Sequence, residues 1–224
     1  MTARDRILGR LRAAHPQASG MADLEQRIDA HFDTRRDDRP DVLVRRMQAA
    51  LEAVRAQAWC ARPDEWPAQV ARSLLDAGVS RIVVDAVSSE GLALRAALPA
   101  SIEAIAFDRP LEDWKEELFG TVDAGFTVAR SGIAATGTLV LAPDAMTPRT
   151  VSLVPPLHIA LVYAHTLHAD LHQALHAERW QDGMPANLVL ATGPSKTSDI
   201  QQTLAFGAHG PRWTWVVIVT GEPK

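Results

Sequence analysis

Cysteine is almost missing from this chain of 224 residues, where Cys60 stands alone. One thiol excludes an internal disulfide and any all-cysteine metal or iron–sulfur site built within a single chain. Aromatic residues make up only 5%, and the formal net charge of −4 leaves no basic excess. A nucleic-acid binder wants a basic stripe or stacking platforms, so that class is set aside. The segment from Met1 to Arg12 is charged and lacks an apolar h-region, so no secretory signal is read there. No apolar run approaches the length that crosses a bilayer. A cytoplasmic, soluble protein is expected. No Gly-x-Gly-x-x-Gly follows a strand, and neither a Walker phosphate loop nor a Gly-x-Ser-x-Gly elbow occurs. Dinucleotide, nucleoside triphosphate and serine-hydrolase readings therefore lack their motifs, and no cofactor is called for. What remains is ordinary globular composition, 47% hydrophobic and 22% charged, enough for one sizeable core.

The pattern that is present is an alternation. Residues 2–14 place Ile7, Leu8 and Leu11 on one helical face among arginines, and Pro16 to Gly20 breaks that helix. Asp33 to Asp41 is a mixed-charge run with Pro40 and reads as a solvated linker. Residues 1–41 are therefore expected to form a helical arm and linker, packed on the main domain or on a second subunit of a homo-oligomer. From Val42 to Ala58, Leu43, Met47, Ala50, Leu51 and Val54 keep helical spacing. A second helix over Pro63 to Ala77 tolerates Pro67 in its first turn and stops at Gly78. Strands are expected over 81–85, 102–107, 122–128, 137–141 and 158–163. Helices are expected over 90–97, capped by Ser88 or Ser89, and over 111–119 and 168–177. Strands alternating with helices are the signature of a mostly parallel sheet covered on both faces, so 42–224 reads as one α/β domain.

The most polar turn in this pattern runs from Gly193 through Pro194, Ser195, Lys196, Thr197, Ser198 and Asp199, between the apolar runs 187–191 and 213–219. Asp199 to Phe206 is long enough for two turns of helix, with Ser198 or Asp199 as N-cap. In a parallel sheet that turn would lie at the carboxyl ends of the strands, where open α/β folds hold ligands. Helix-start N–H groups, the hydroxyls of Ser195, Thr197 and Ser198, and the Lys196 ammonium would suit an anion. A well-capped turn without a ligand fits the same residues. His209, before Gly210-Pro211, would stand at the end of that helix and serve as proton donor, carboxylate partner or mere cap. Thr136-Gly137-Thr138 offers two hydroxyls and a close backbone approach, or an ordinary bulge. His165, His168, His172 and His176 recur every three or four residues, the last three on one helical face. Their alanine and leucine flanks, with only Asp170 nearby, favour a solvated face over a zinc site, so no metal is expected.

Three segments in order carry a resemblance: Gly132-Ile133-Ala134-Ala135-Thr136-Gly137-Thr138-Leu139-Val140, then Arg149-Thr150-Val151-Ser152-Leu153-Val154-Pro155-Pro156-Leu157-His158-Ile159, then 193–200 with 207–211. The chain resembles the lactate utilization protein C family, whose shared module is the LUD domain, over roughly 121–220. The resemblance implies a three-layer α/β/α fold like that of the ribose-5-phosphate isomerase, glucosamine-phosphate isomerase and CoA-transferase group. It implies a part in oxidising L-lactate to pyruvate, beside two companion proteins that carry iron–sulfur clusters. The family usually has an acidic residue where Ala135 stands here, and commonly Glu where Gln201 stands. Without that acid, a binding or assembly role is favoured over independent catalysis. A pocket with Lys196, Arg149 and His209 and no carboxylate would also suit a small anion. An enzyme acting on a phosphorylated or CoA-linked small molecule, as fold relatives do, is the alternative.

Overall fold

The computed structural model describes residues 3–13, 21–33, 38–198 and 204–221. Two units are distinguished, Met1–Arg36 and Asp37–Lys224. The first holds α1 (Ala3–Ala13) and α2 (Met21–Asp33), on which Ile7, Leu24 and Ile28 are exposed.

The second unit is built on six parallel strands. These are β1 (Gln57–Ala61), β2 (Arg81–Val83), β3 (Glu103–Ile105), β4 (Ala124–Val128), β7 (Leu157–Tyr163) and β12 (Trp213–Val219), in the order β1-β12-β7-β4-β2-β3. The central strands are apolar on both faces, as a sheet covered on both sides requires. Ile159, Leu161, Trp215, Val217 and Phe126 face α4 (Trp66–Asp76) and α5 (Ser89–Ala97), meeting Val70, Leu74 and Leu94. There Trp66 stacks on Phe126, with ring centroids 5.6 Å apart. The alternate residues Ala160, Val162, Val216 and Ile218 face α3 (Pro40–Ala53) through Leu43, Met47 and Leu51.

The same face also carries a small mixed sheet of β5 (Ser131–Ile133), β6 (Thr138–Leu141), β8 (Leu167–His168) and β9 (Val189–Ala191), in the order β8-β5-β6-β9. Toward β2 and β3 the cover passes to α6 (Leu111–Gly120) and α7 (Arg149–Leu153), through Trp114, Leu118 and Val151. Helices thus lie on both faces of a mostly parallel sheet, and the fold is α/β. No helix among the described residues is long and apolar enough to cross a membrane.

Four expectations are corrected. The helix expected to reach Ala58 stops at Ala53. Arg55 turns left-handed (φ 69), Ala56 N–H bonds back to the Leu51 carbonyl, and Gln57 joins β12 as an edge strand. Residues 131–133, read only as a connection, form β5, and it is paired on both sides. His168 lies in β8, and the helix α8 (Leu171–Ala177) begins only after Asp170, whose carboxylate accepts from Gln173 N–H. Lys196–Ser198 and Leu204–Phe206 are strands β10 and β11 of an antiparallel hairpin, so the helix expected over 199–206 is not formed at its end. Residues 199–203, including Asp199 and Gln201, lie outside the described residues.

Candidate functional site

The Gly193 turn follows β9, whose partner is β6 of the small sheet, so it does not leave a carboxyl end of the parallel sheet. It closes at the opposite, amino edge. Ser195 N–H donates to the Pro211 carbonyl (2.8 Å), Gly207 N–H donates to the Ser195 carbonyl (2.9 Å), and Arg212 N–H donates to Pro156 O (2.8 Å). These bonds tie the hairpin to the lead-ins of β12 and β7. Lys196 therefore stands exposed on a strand, and no helix N-terminus among the described residues adjoins it in the chain. Thr197 pairs with Ala205, and Ser198 with Leu204. His209 is exposed in the bend after Gly207.

Beside this hairpin lies a row of hydroxyls. Thr136 Oγ1 and Thr138 Oγ1 are 2.7 Å apart, and Thr138 Oγ1 and Thr192 Oγ1 are also 2.7 Å apart. Three hydroxyls carry three protons and share two contacts, so one proton is left over, and where the row donates in one direction that proton stands at an end, open to solvent or a ligand. Thr136 and Thr192 are exposed while Thr138 is 7% exposed, so both ends of the row are open. The row is held by two close approaches to the end of α3. Gly137 (φ 66) sits where a Cβ would come within 2.8 Å of Leu51 N, and Gly193 (φ 70) where one would come within 2.6 Å of Val54 Cγ2. Only glycine combines that conformation with that contact.

Cations surround the hairpin. The Arg55 guanidinium lies 4.9 Å from the Phe206 ring centroid, and Arg212 lies 4.8 Å from that of Trp213. Lys196 pairs with Phe206 in the hairpin. Arg149 is elsewhere: it is exposed at the start of α7, and its carbonyl accepts from Ser152 Oγ. Among the described residues no hydrogen bond joins Arg149 or His209 to the threonine row. Thr192 was missed from sequence because its pairing with Thr138 depends on the β6–β9 register, across more than fifty positions.

A second polar region lies at the carboxyl edge, and sequence reasoning missed it. After β2 the chain builds β3 on one side, then returns to build β4 on the other. The carboxyl ends of β2 and β4 thus flank a topological switch point, the usual ligand location in open α/β sheets. A crevice of about 170 Å³ lies there, with Asp85, Ser88, Glu90, Thr127, Asp144 and Thr147 in its lining. Burial works to raise the Asp85 carboxyl, but the Ser88 hydroxyl and the N–H groups of Val87 and Ser88 outweigh it and hold the carboxyl below its usual range. Glu90 is likewise opposed by burial and held low by the hydroxyls of Ser89 and Tyr163. Below the crevice, Thr127 Oγ1 meets His158 Nε2 at 2.8 Å. Burial pushes the His158 pKa down to about 4, so the imidazole is neutral at ordinary pH.

The histidine run is divided by the fold. His172 and His176 face each other on α8, with Nε2 atoms 3.1 Å apart, while His168 belongs to β8 and has its pKa lowered chiefly by burial.

The LUD domain family model matches residues 44–219. An uncharacterized protein of Neisseria meningitidis serogroup B is 43% identical over 166 residues, covering 73% of this chain and 71% of that protein. Lactate utilization protein C 1 of Bacillus mycoides is 37% identical over 104 residues, 45% of this chain and 44% of the relative. Lactate utilization protein C of Anoxybacillus flavithermus is 35% identical over 95 residues, 42% and 43% of the two chains. The matched stretch thus spans less than half the length of either lactate utilization protein. Among solved structures, a DUF162 family protein from Deinococcus radiodurans superposes with TM-score 0.61 at 22% identity, covering 81% of this chain and 99% of that one. That likeness bears on the fold.

Proposed function

The chain belongs to the LUD domain family, and from that premise we propose that it serves L-lactate utilization as an anion-binding or assembly component. The observation that carries this reading is the identity of 37% and 35% to two lactate utilization C proteins. In this role the chain acts beside iron–sulfur partners during oxidation of L-lactate to pyruvate. Cys60, the single cysteine, cannot supply an all-cysteine cluster, so electron transfer falls to those partners.

The anion site in this reading is the threonine row and the hairpin beside it. A small hydroxy acid would present its carboxylate to Lys196 and Arg212 and its hydroxyl to the spare proton of Thr136 or Thr192. Charge-assisted bonds of this kind contribute about 1.5–3 kcal/mol each. The alternative, an enzyme acting on a phosphorylated or CoA-linked small molecule, would use the carboxyl-edge crevice. Asp85, Glu90 and Asp144 line that crevice, and their charge opposes such an anion, which places this reading second.

Two measurements test the proposal. Deleting the gene while leaving the companion proteins intact should abolish growth on L-lactate and spare growth on pyruvate. Calorimetric titration of lactate, pyruvate and phosphate should show binding by the wild type, weakened about tenfold or more in Lys196→Ala, one decade being 1.4 kcal/mol. Normal growth of the deletion strain removes the metabolic role; growth loss without any anion binding leaves assembly as the role.

A further inference from the structure

On the other face of the amino edge, against α4, lies a cavity of about 420 Å³ that neither the threonine row nor the switch-point crevice uses. Its walls are Val79, Pro156, Leu157, Trp213 and Trp215, with Gln57 and Asp123 as the polar groups. That is the make-up of a small-molecule pocket: mainly apolar and aromatic walls, a few polar groups, and a volume within about 300–1,000 Å³. We propose that it binds a planar aromatic small molecule bearing a hydroxyl group.

Trp213 is the first argument. Every other residue of β12 is buried, yet this indole, at the head of the strand, is 49% exposed. Leaving so large an apolar surface in water forfeits roughly half of its burial free energy, which a stacked ligand would recover. The ring is also placed in advance. The Arg212 guanidinium lies 4.8 Å from its centroid, and Trp215, the next residue on the same side of β12, is braced edge-on by Trp59 at 6.3 Å. A ligand ring therefore meets aromatic walls whose side-chain freedom is already reduced.

The polar end sets the substituent. Asp123 Oδ2 accepts from Ser80 N–H (2.8 Å), Ser80 Oγ (2.8 Å) and Arg81 N–H (2.9 Å). Those donors fix the carboxylate and leave Oδ1 able to accept from a ligand hydroxyl, with the Gln57 amide beside it as donor or acceptor. A carboxylate in the same place opposes an anionic ring substituent. The pocket is thus chemically distinct from the lactate site proposed above.

The test uses the full chain and 2-naphthol as probe. The six tryptophans give separate indole N–H signals in a ¹⁵N-labelled sample. Titration should shift the signals of Trp213 and Trp215 saturably and leave those of Trp66 and Trp114 in place. Trp213→Ala should weaken binding about tenfold. Ala77→Phe, at an exposed position in the cavity lining, should abolish the saturable shift without changing the thermal midpoint. Lys196→Ala should bind 2-naphthol as the wild type does, which separates this pocket from the anion site. Absence of a saturable shift, or a shift indifferent to both pocket variants, overturns the proposal. A Trp213 signal that moves with protein concentration alone also overturns it, in favour of a second copy of the chain in the cleft.

Discussion

The two edges of the main sheet place opposite charge beside their polar clusters. Around the threonine row and hairpin at the amino edge stand Arg55, Lys196 and Arg212, all exposed. In the crevice at the carboxyl edge stand Asp85, Glu90 and Asp144, of which Asp85 and Glu90 are held below the usual carboxylate range. Parallel α/β sheets normally offer anions the carboxyl edge, because helix N-termini point there. Here the N-terminus of α5 is already served by its own chain. Ser88 accepts from Gly91 N–H, and Glu90 lies in the first turn. A helix start filled by resident oxygen acceptors has little left for an outside anion. The lesson is that a fold's usual ligand position is decided residue by residue, and in this chain positive charge gathers beside the hairpin at the other edge.

The largest effects should come from the glycines that let backbone close on backbone at each edge. A Cβ at Gly91 would come 2.1 Å from the Asp85 carbonyl oxygen, and one at Gly137 2.8 Å from Leu51 N, the latter with φ 66 as well. Gly91→Ala and Gly137→Ala should each cost about 3 kcal/mol or more in urea unfolding. A neutral result at either position would mean that edge is not closely packed, and the comparison would fail there.

Next in size is a pH effect that belongs to the buried sheet between the two edges. Burial lowers the folded pKa of His158 from 6.5 to about 4, so folding favours the neutral ring. Its contribution is complete above pH 6.5 and is lost as pH falls toward 4, since only the unfolded chain then takes up the proton. Unfolding free energy should drop by roughly 3 kcal/mol across that window, and His158→Gln should flatten the slope. Asp85 and Glu90, also depressed, add losses of the same sign at lower pH. A wild-type profile flat from pH 7 to 4.5 would contradict a buried neutral imidazole.

Smaller again is the contrast in ligand preference. Arg212→Ala should weaken lactate binding about tenfold, as Lys196→Ala should, whereas Asp144→Asn at the other edge should leave it unchanged. Equal loss from both edges would dissolve the distinction. Smallest is the cap: Ser88→Ala removes the acceptor for Gly91 N–H and should lower the stability of the domain by about 1 kcal/mol in thermal or urea melts. An unchanged melt would remove Ser88 from the account of why α5 needs no outside anion.

Some of this was readable in advance. Leu43, Met47 and Leu51 recur at helical spacing and form the buried face of α3. Gly78 ends α4 with φ 72, and Ser88 caps α5. Thr136, Gly137 and Thr138 were singled out by their turn chemistry, and Thr138 Oγ1 lies 2.7 Å from the hydroxyl of Thr192, the residue before Gly193. Lys196 and Thr197 were noticed for a different reason, an expected helix whose last residues, Leu204–Phe206, are strand instead. A run of polar residues after Gly-Pro fits a capped helix and a hairpin equally well. The choice fell to pairing with Leu204–Phe206 and to the Ser195–Pro211 bond.

What the sequence determined by itself is the class: short apolar runs alternating with amphipathic stretches, punctuated by glycine and proline, make a mostly parallel α/β sheet. Those signals depend on residues within a few positions of one another, so a single chain displays them. The tertiary structure alone decided that Gln57–Ala61 is a strand, since its partner is Trp215–Val219 at the far end of the chain. It alone placed Thr192 against Thr138, Trp213 and Trp215 over Asp123, and Asp85 at a switch point. Each of these rests on strand order and register, which come from contacts between distant segments, and no local periodicity encodes which distant segment a strand will meet.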